Sequence, residues 1–192
     1  MFLMLVKGLS ALLPAAAHLA GLMAMDGYKL VRTRTVLWAL AWGVFAAAVA
    51  TVINDNLITV ADMSSARYSA LVAPVIEEAL KVFWLAALIY RRRIGFPIDA
   101  AILGFASGVG FAIAENLLFL GLRGEAILAV WLIRGFGTAV MHGSTVAVFG
   151  IMAQTWCEQK PVIRPWHLSP GLLAAILIHS VFNQFLISPV AW

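Results

Sequence analysis

Residues 69–90 read Ser-Ala-Leu-Val-Ala-Pro-Val-Ile-Glu-Glu-Ala-Leu-Lys-Val-Phe-Trp-Leu-Ala-Ala-Leu-Ile-Tyr. The stretch has the roughly 20 residues that an α-helix needs to cross about 30 Å of hydrocarbon. It also carries Glu77, Glu78 and Lys81 near its middle. Each such charge costs at least about 2.5–3.5 kcal/mol on insertion scales, so each needs a reason. Outward from this segment, apolar stretches of the same kind fall at 3–25, 35–53, 98–122, 127–156 and 168–189. The pattern predicts an all-α fold, a polytopic transmembrane helical bundle of about six spans. It treats residues 1–192 as a single integral membrane domain, with the candidate catalytic spans between 69 and 189. The fifth stretch is long enough to bend, and Arg134, Gly135 and Gly137 mark the place. Ala100-x3-Gly104-x3-Gly108 forms a small-residue ridge that lets a neighbouring backbone approach. Pro74 removes a backbone donor just before the glutamates and opens that helix locally. No internal repeat or low-complexity segment is visible.

Composition agrees. Of 192 residues, 63% are hydrophobic and 11% charged, with a mean hydropathy of +0.97. Soluble domains carry about 25% charged residues, so a soluble globule is excluded. Disorder needs more charge, and a lone Cys157 excludes a disulfide scaffold. The net charge of +4 gives no case for a nucleic-acid partner, because the bases sit in short connections. Three of these hold Lys29, Arg32 and Arg34, then Arg91, Arg92 and Arg93, then Lys160 and Arg164; the other two hold only Arg67 and Arg123. The positive-inside rule places the first three in the cytoplasm and both termini outside, in a cytoplasmic (inner) membrane. The first stretch has Ala15-Ala16-Ala17, which looks like a cleavage region. No base precedes it and Lys7 interrupts it, so an uncleaved span is expected.

Polar side chains recur at one level on four spans. They are Glu77, Glu78 and Lys81; Glu115 and Asn116; His142; and His179 with Asn183. Counted from the expected outer ends, Glu77, Glu115, His142 and His179 lie about 11–15 Å down at 1.5 Å per residue. Lys81 is i,i+4 from Glu77 and i,i+3 from Glu78, so it can neighbour either. The adjacent glutamates point about 100° apart, so one can face a reaction while the other braces a neighbouring helix. Asn183 shares a face with His179 and can orient an imidazole or bind a carbonyl. Arg134 reads as an outer-interface anchor, His18 as structural, and Phe111 as packing. Trp156, Trp166 and Trp192 lie near span ends, where tryptophans anchor. A Ser-His-Asp triad is disfavoured, because Ser144 and Ser180 are next to histidines in sequence and do not face them. An aspartyl dyad is excluded, since Asp26, Asp55, Asp62 and Asp99 fall in loops or at span ends.

Glu77-Glu78-x-x-Lys81, then Phe111-x3-Glu115-Asn116, then His142, then His179-x3-Asn183, on successive spans, resembles the PrsW family of intramembrane proteases. It is more distantly similar to the CAAX-processing endoproteases and their bacterial relatives, whose second motif has histidine where this chain has Glu115. The resemblance implies hydrolysis of a peptide bond in a membrane-anchored protein substrate near the outer face, with anti-sigma factors as the best-known substrates. Glu77, Glu78, Glu115, His142 and His179 are then the catalytic candidates, supported by Lys81, Asn116 and Asn183. Two mechanisms stay open. Glutamate and histidine activate water directly, or Glu115, His142 and His179 ligate zinc. No His-Glu-x-x-His helix is present, and Lys81 beside the glutamates disfavours a nearby cation, so no cofactor is favoured and zinc is the alternative. A proton-coupled transporter uses similar buried residues, and a non-catalytic membrane scaffold is the third class. The expected partners are membrane lipids and the protein substrate.

Overall fold

Among the residues described in the computed structural model, 2–25, 31–123 and 128–187, the chain is helical and has no strand. The elements are α1 (Phe2–Met25), α2 (Thr33–Val60), α3 (Ser65–Leu71), α4 (Ala73–Tyr90), α5 (Pro97–Arg123) and α6 (Leu128–Ile133). A π-helical turn (Arg134–Thr138) leads into α7 (Ala139–Glu158). A short 3-10 turn (Pro165–Leu168), α8 (Ser169–Phe182) and a second π-helical turn (Asn183–Ile187) follow. Lys29, Trp192 and the expected span boundaries at 127 and 189 lie outside the described residues, as does the side chain of Arg123. Five segments are long and apolar enough to cross a membrane: Leu5–Ala24, Thr33–Val60, Pro97–Gly121, Leu128–Glu158 and Pro165–Phe185. The chain is a polytopic helical membrane protein.

The expected span at 69–90 is the exception, and its charges are the reason. It divides into α3 and α4 at Val72, and α4 has 18 residues that include Glu77, Glu78 and Lys81. Pro74 falls in the first turn of α4, where a missing N–H leaves no bond unmade. The expected local opening is therefore the break at Val72, after which Pro74 starts α4. A second correction concerns α2, which runs to Val60 rather than stopping at 53. The side chains of Thr51, Asn56 and Thr59 bond carbonyls of their own helix at 2.7–2.9 Å, so these polar groups are satisfied without leaving the helix. Asn54 and Asp55 are helical, not in a loop. The bend expected near Arg134 is the π-helical turn.

The buried centre is α5, with α7 on one side and α2 on the other. In hydrocarbon, lipid tails are as apolar as leucine, so helices associate through close packing and hydrogen bonds. The small-residue ridge supplies the first. A Cβ on Gly108 would overlap the carbonyl of His142, and one on Gly104 would lie 2.5 Å from that of Val146. On the other face, a Cβ on Gly43 of α2 would overlap the carbonyl of Ser107. The Gly104 and Gly108 approaches set how near α7, and hence His142, comes to α5.

Candidate active site

The buried residues of α4 build the base of the site. Glu78 is 0% exposed, and its Oε1 accepts from Lys81 Nζ at 2.5 Å, His179 Nδ1 at 2.7 Å and Thr145 Oγ1 at 3.2 Å. One carboxylate oxygen thus ties α4 to α7 and α8. The Lys81 ammonium also lies 2.8 Å from His142 Nδ1 and 4.7 Å from the centre of the Phe111 ring. Ser107 Oγ donates to the Lys81 carbonyl at 3.0 Å, fixing the helix beneath it.

These contacts assign the two imidazoles by the chemistry of their partners. An ammonium offers donors only, so His142 Nδ1 accepts and the ring proton sits on Nε2. That Nε2 donates to Glu115 Oε2 at 2.9 Å. A carboxylate offers acceptors only, so His179 carries its proton on Nδ1. Its Nε2 lone pair faces Glu77 Oε2 at 3.7 Å. The rings stand edge to face, 4.9 Å between centres. One histidine therefore presents a donor and the other an acceptor.

Glu77 points away from Glu78, as adjacent helical positions must. Its Oε1 accepts from Asn54 Nδ2 at 3.3 Å, and Asn54 Oδ1 accepts from the Tyr68 hydroxyl at 3.0 Å. Glu115 is the most open of the group, its side chain 39% exposed, with Arg134 3.2 Å from Oε1. Arg134 is buried, donates from Nε to Asn116 Oδ1 at 2.8 Å and stacks 4.2 Å over Phe119.

The structure thus brings Glu77, Glu78, Glu115, His142 and His179 together, with Lys81 bonded to Glu78 and His142 and Asn116 joined to Glu115 through Arg134. Asn183 is not among them. Its amide donates to the Ser69 carbonyl at 2.9 Å, tying the end of α8 to α3, although it stays one helical turn from His179. Arg134 is also corrected. It does not anchor at an interface but pairs inward with Glu115, carried there by the π-helical turn. His18 bonds the Pro14 carbonyl at 2.7 Å, a structural contact. Sequence reasoning missed Asn54, Tyr68 and Thr145. Only Thr145 left a signal, lying i+3 from His142.

A metal has one candidate donor set here among the described residues. Glu77, His142 and His179 each offer an atom within 4.8 Å of the others. This replaces the expected set with Glu115, which Arg134 holds aside. One carboxylate and two imidazoles match catalytic zinc in type, and Glu78 on His179 Nδ1 is the carboxylate partner such a ligand takes. At His142 the arrangement does not fit. With Lys81 on Nδ1, the Nε2 atom bears hydrogen and has no lone pair to give.

A family model described as PrsW family intramembrane metalloprotease matches residues 32–192. The match begins before α2 and so takes in Asn54 as well as every motif residue. No curated protein and no solved structure matches the chain.

Proposed function

Because the chain belongs to the PrsW family of intramembrane metalloproteases, we propose that it hydrolyses a peptide bond of a membrane-anchored protein through water activated by Glu77 and His179. The observation that supports this reading is the facing pair itself. Glu77 Oε2 and the His179 Nε2 lone pair stand 3.7 Å apart, too far for a direct bond and suited to sharing a water. Glu77 takes a proton as the water oxygen attacks the carbonyl carbon, and the same proton passes to the leaving amine when the C–N bond breaks. The His142 Nε2–H and the Arg134 guanidinium are the donors beside the developing oxyanion. Glu78 keeps His179 in its tautomer.

The Lys81 contact on His142 favours the step without metal. If zinc is resident, Glu77 and His179 would hold it, with His142 joining only when Lys81 leaves Nδ1. Zinc would then supply an acidified water. The substrate is of the anti-sigma-factor type, cut near the outer face, in an inner-membrane protein with both termini outside, which takes α4 as a sixth crossing beside the five apolar ones. It is a single domain whose catalytic spans lie within 69–189. Lipids and the substrate are its partners, and nucleic acid is not.

The test uses purified protein in detergent and a single-pass membrane peptide. Glu77→Gln keeps shape and removes the base, so turnover should fall about 10²–10⁴-fold with the fold intact. Wild-type cleavage by this variant overturns the assignment. A strong zinc chelator should leave the rate unchanged. Full inhibition reversed by added zinc overturns the metal-free step, and a fully folded protein that cleaves no membrane peptide points to the transporter or scaffold instead.

A further inference from the structure

Two of the three carboxylates in the cluster are held by a cation: Glu78 by Lys81 and Glu115 by Arg134. Glu77 is held by neutral donors. Asn54 Nδ2 lies 3.3 Å from Glu77 Oε1, and the Tyr68 hydroxyl lies 3.0 Å from Asn54 Oδ1. We propose that Tyr68 and Asn54 are positioning residues that fix the Glu77 carboxylate and leave Oε2 as the oxygen that meets water. The proposal rests on the reading of Glu77 as the base.

The direction of the chain of bonds is set by chemistry. A carboxylate offers acceptors alone, so the Asn54 amide must turn its NH2 to Glu77 and its carbonyl oxygen to Tyr68, whose hydroxyl donates. Tyr68 is 2% exposed, so little water competes for that bond. With Oε1 occupied, the carboxylate cannot swing freely, and Oε2 stays opposite His179 Nε2 at 3.7 Å. The helix break at Val72 is what makes this possible. It places Tyr68 on α3 and Glu77 on α4, and Tyr68 reaches Asn54 of α2 through its hydroxyl. The next residue along α3, Ser69, accepts from Asn183 beyond the end of α8. One short helix thus braces both sides of the Glu77–His179 pair.

The test measures kcat, KM and thermal unfolding of the full chain in detergent for Asn54→Leu, Tyr68→Phe and the double variant, beside Glu77→Gln. A bond to a charged group is lost in Asn54→Leu, so kcat should fall about 10–100-fold with KM within about twofold and unfolding shifted only a few degrees. Tyr68→Phe removes one oxygen and should lower kcat about 3–10-fold. The double variant should be no slower than Asn54→Leu, because Tyr68 acts only through Asn54. Losses that multiply, or that follow the folded fraction at unchanged kcat, overturn the proposal. If Asn54→Leu does not fold, wild-type kcat in Tyr68→Phe overturns it alone. Wild-type rates in both variants with an inactive Glu77→Gln reject the positioning role and keep the base. An active Glu77→Gln rejects the base itself.

Discussion

Two carboxylates in this bundle take the same pair of partners, one cation and one histidine. Glu78 meets Lys81 at 2.5 Å and His179 at 2.7 Å; Glu115 meets Arg134 at 3.2 Å and His142 at 2.9 Å. They differ in enclosure. Lys81 sits i,i+3 from Glu78 on one helix, and neither side chain is exposed. Arg134 comes from another span, through a π-helical turn, to a Glu115 side chain that is 39% exposed. In a closed, low-dielectric setting a charge that loses its partner has no substitute. In an open one, water or an arriving polar group takes the partner's place. The first pair is a closed frame, and the second is an exchangeable contact that water can reach.

The largest expected effect breaks the frame. Lys81→Met strands Glu78 and should cost about 3–5 kcal/mol of stability. It also frees His142 Nδ1, so the surviving folded protein should lose activity. Arg134→Met leaves a carboxylate that water reaches, and its stability cost should be near 1 kcal/mol. Thermal unfolding of both variants in the same detergent measures the contrast. Equal losses would mean that the two centres are equally enclosed, and the division between frame and exchangeable contact would fall.

A middle-sized effect sharpens the same comparison through the backbone. Gly108→Ala puts a Cβ onto the carbonyl of His142, the residue that touches both centres. Both the α5 and α7 backbones meet there, so relief needs the helices to separate, at about 1–3 kcal/mol. Activity should fall with it, since His142 moves off Lys81 and Glu115 together. Gly21→Ala is the control, with open space around the added carbon. A Gly108→Ala variant as stable and active as that control would show that the ridge does not set the position of His142.

The frame was legible in the sequence and the exchangeable contact was not. Glu77, Glu78 and Lys81 stand out because nothing apolar explains three charges in one 18-residue helix. The ridge Ala100, Gly104, Gly108 was equally plain, because its spacing matches the helix and small side chains have one use there. Arg134 was hidden because its direction depends on a π-helical turn, which rotates it relative to an α-helical count. Asn54 was hidden for a related reason. Asn54-Asp55-Asn56 reads as a loop, and α2 nonetheless runs through it to Val60. The pairing of Asn54 with Glu77 then joins residues 23 apart on two helices, and no local pattern shows such a contact. Asn183 keeps the helical spacing from His179, but its amide is taken by the Ser69 carbonyl of α3, a partner that no spacing within α8 reveals.

The smallest expected effect lies at the far end of α7. Cys157 is buried and lines a cavity of about 200 Å³ with Ile89, Ile94 and Gln154. It is fifteen residues beyond His142 on a helix that rises 1.5 Å per residue, so about 22 Å separates them. No chain of charged contacts joins Cys157 to Glu77, Glu78 or Glu115 among the described ion pairs. Cys157→Ala removes one sulfur atom from packing and should cost on the order of 1 kcal/mol. Its kcat and KM should match the wild type at a temperature where both are folded. A thiol nucleophile would predict total loss instead. Abolished cleavage by a folded Cys157→Ala protein would therefore reach past this residue and undo the assignment of water as the attacking group.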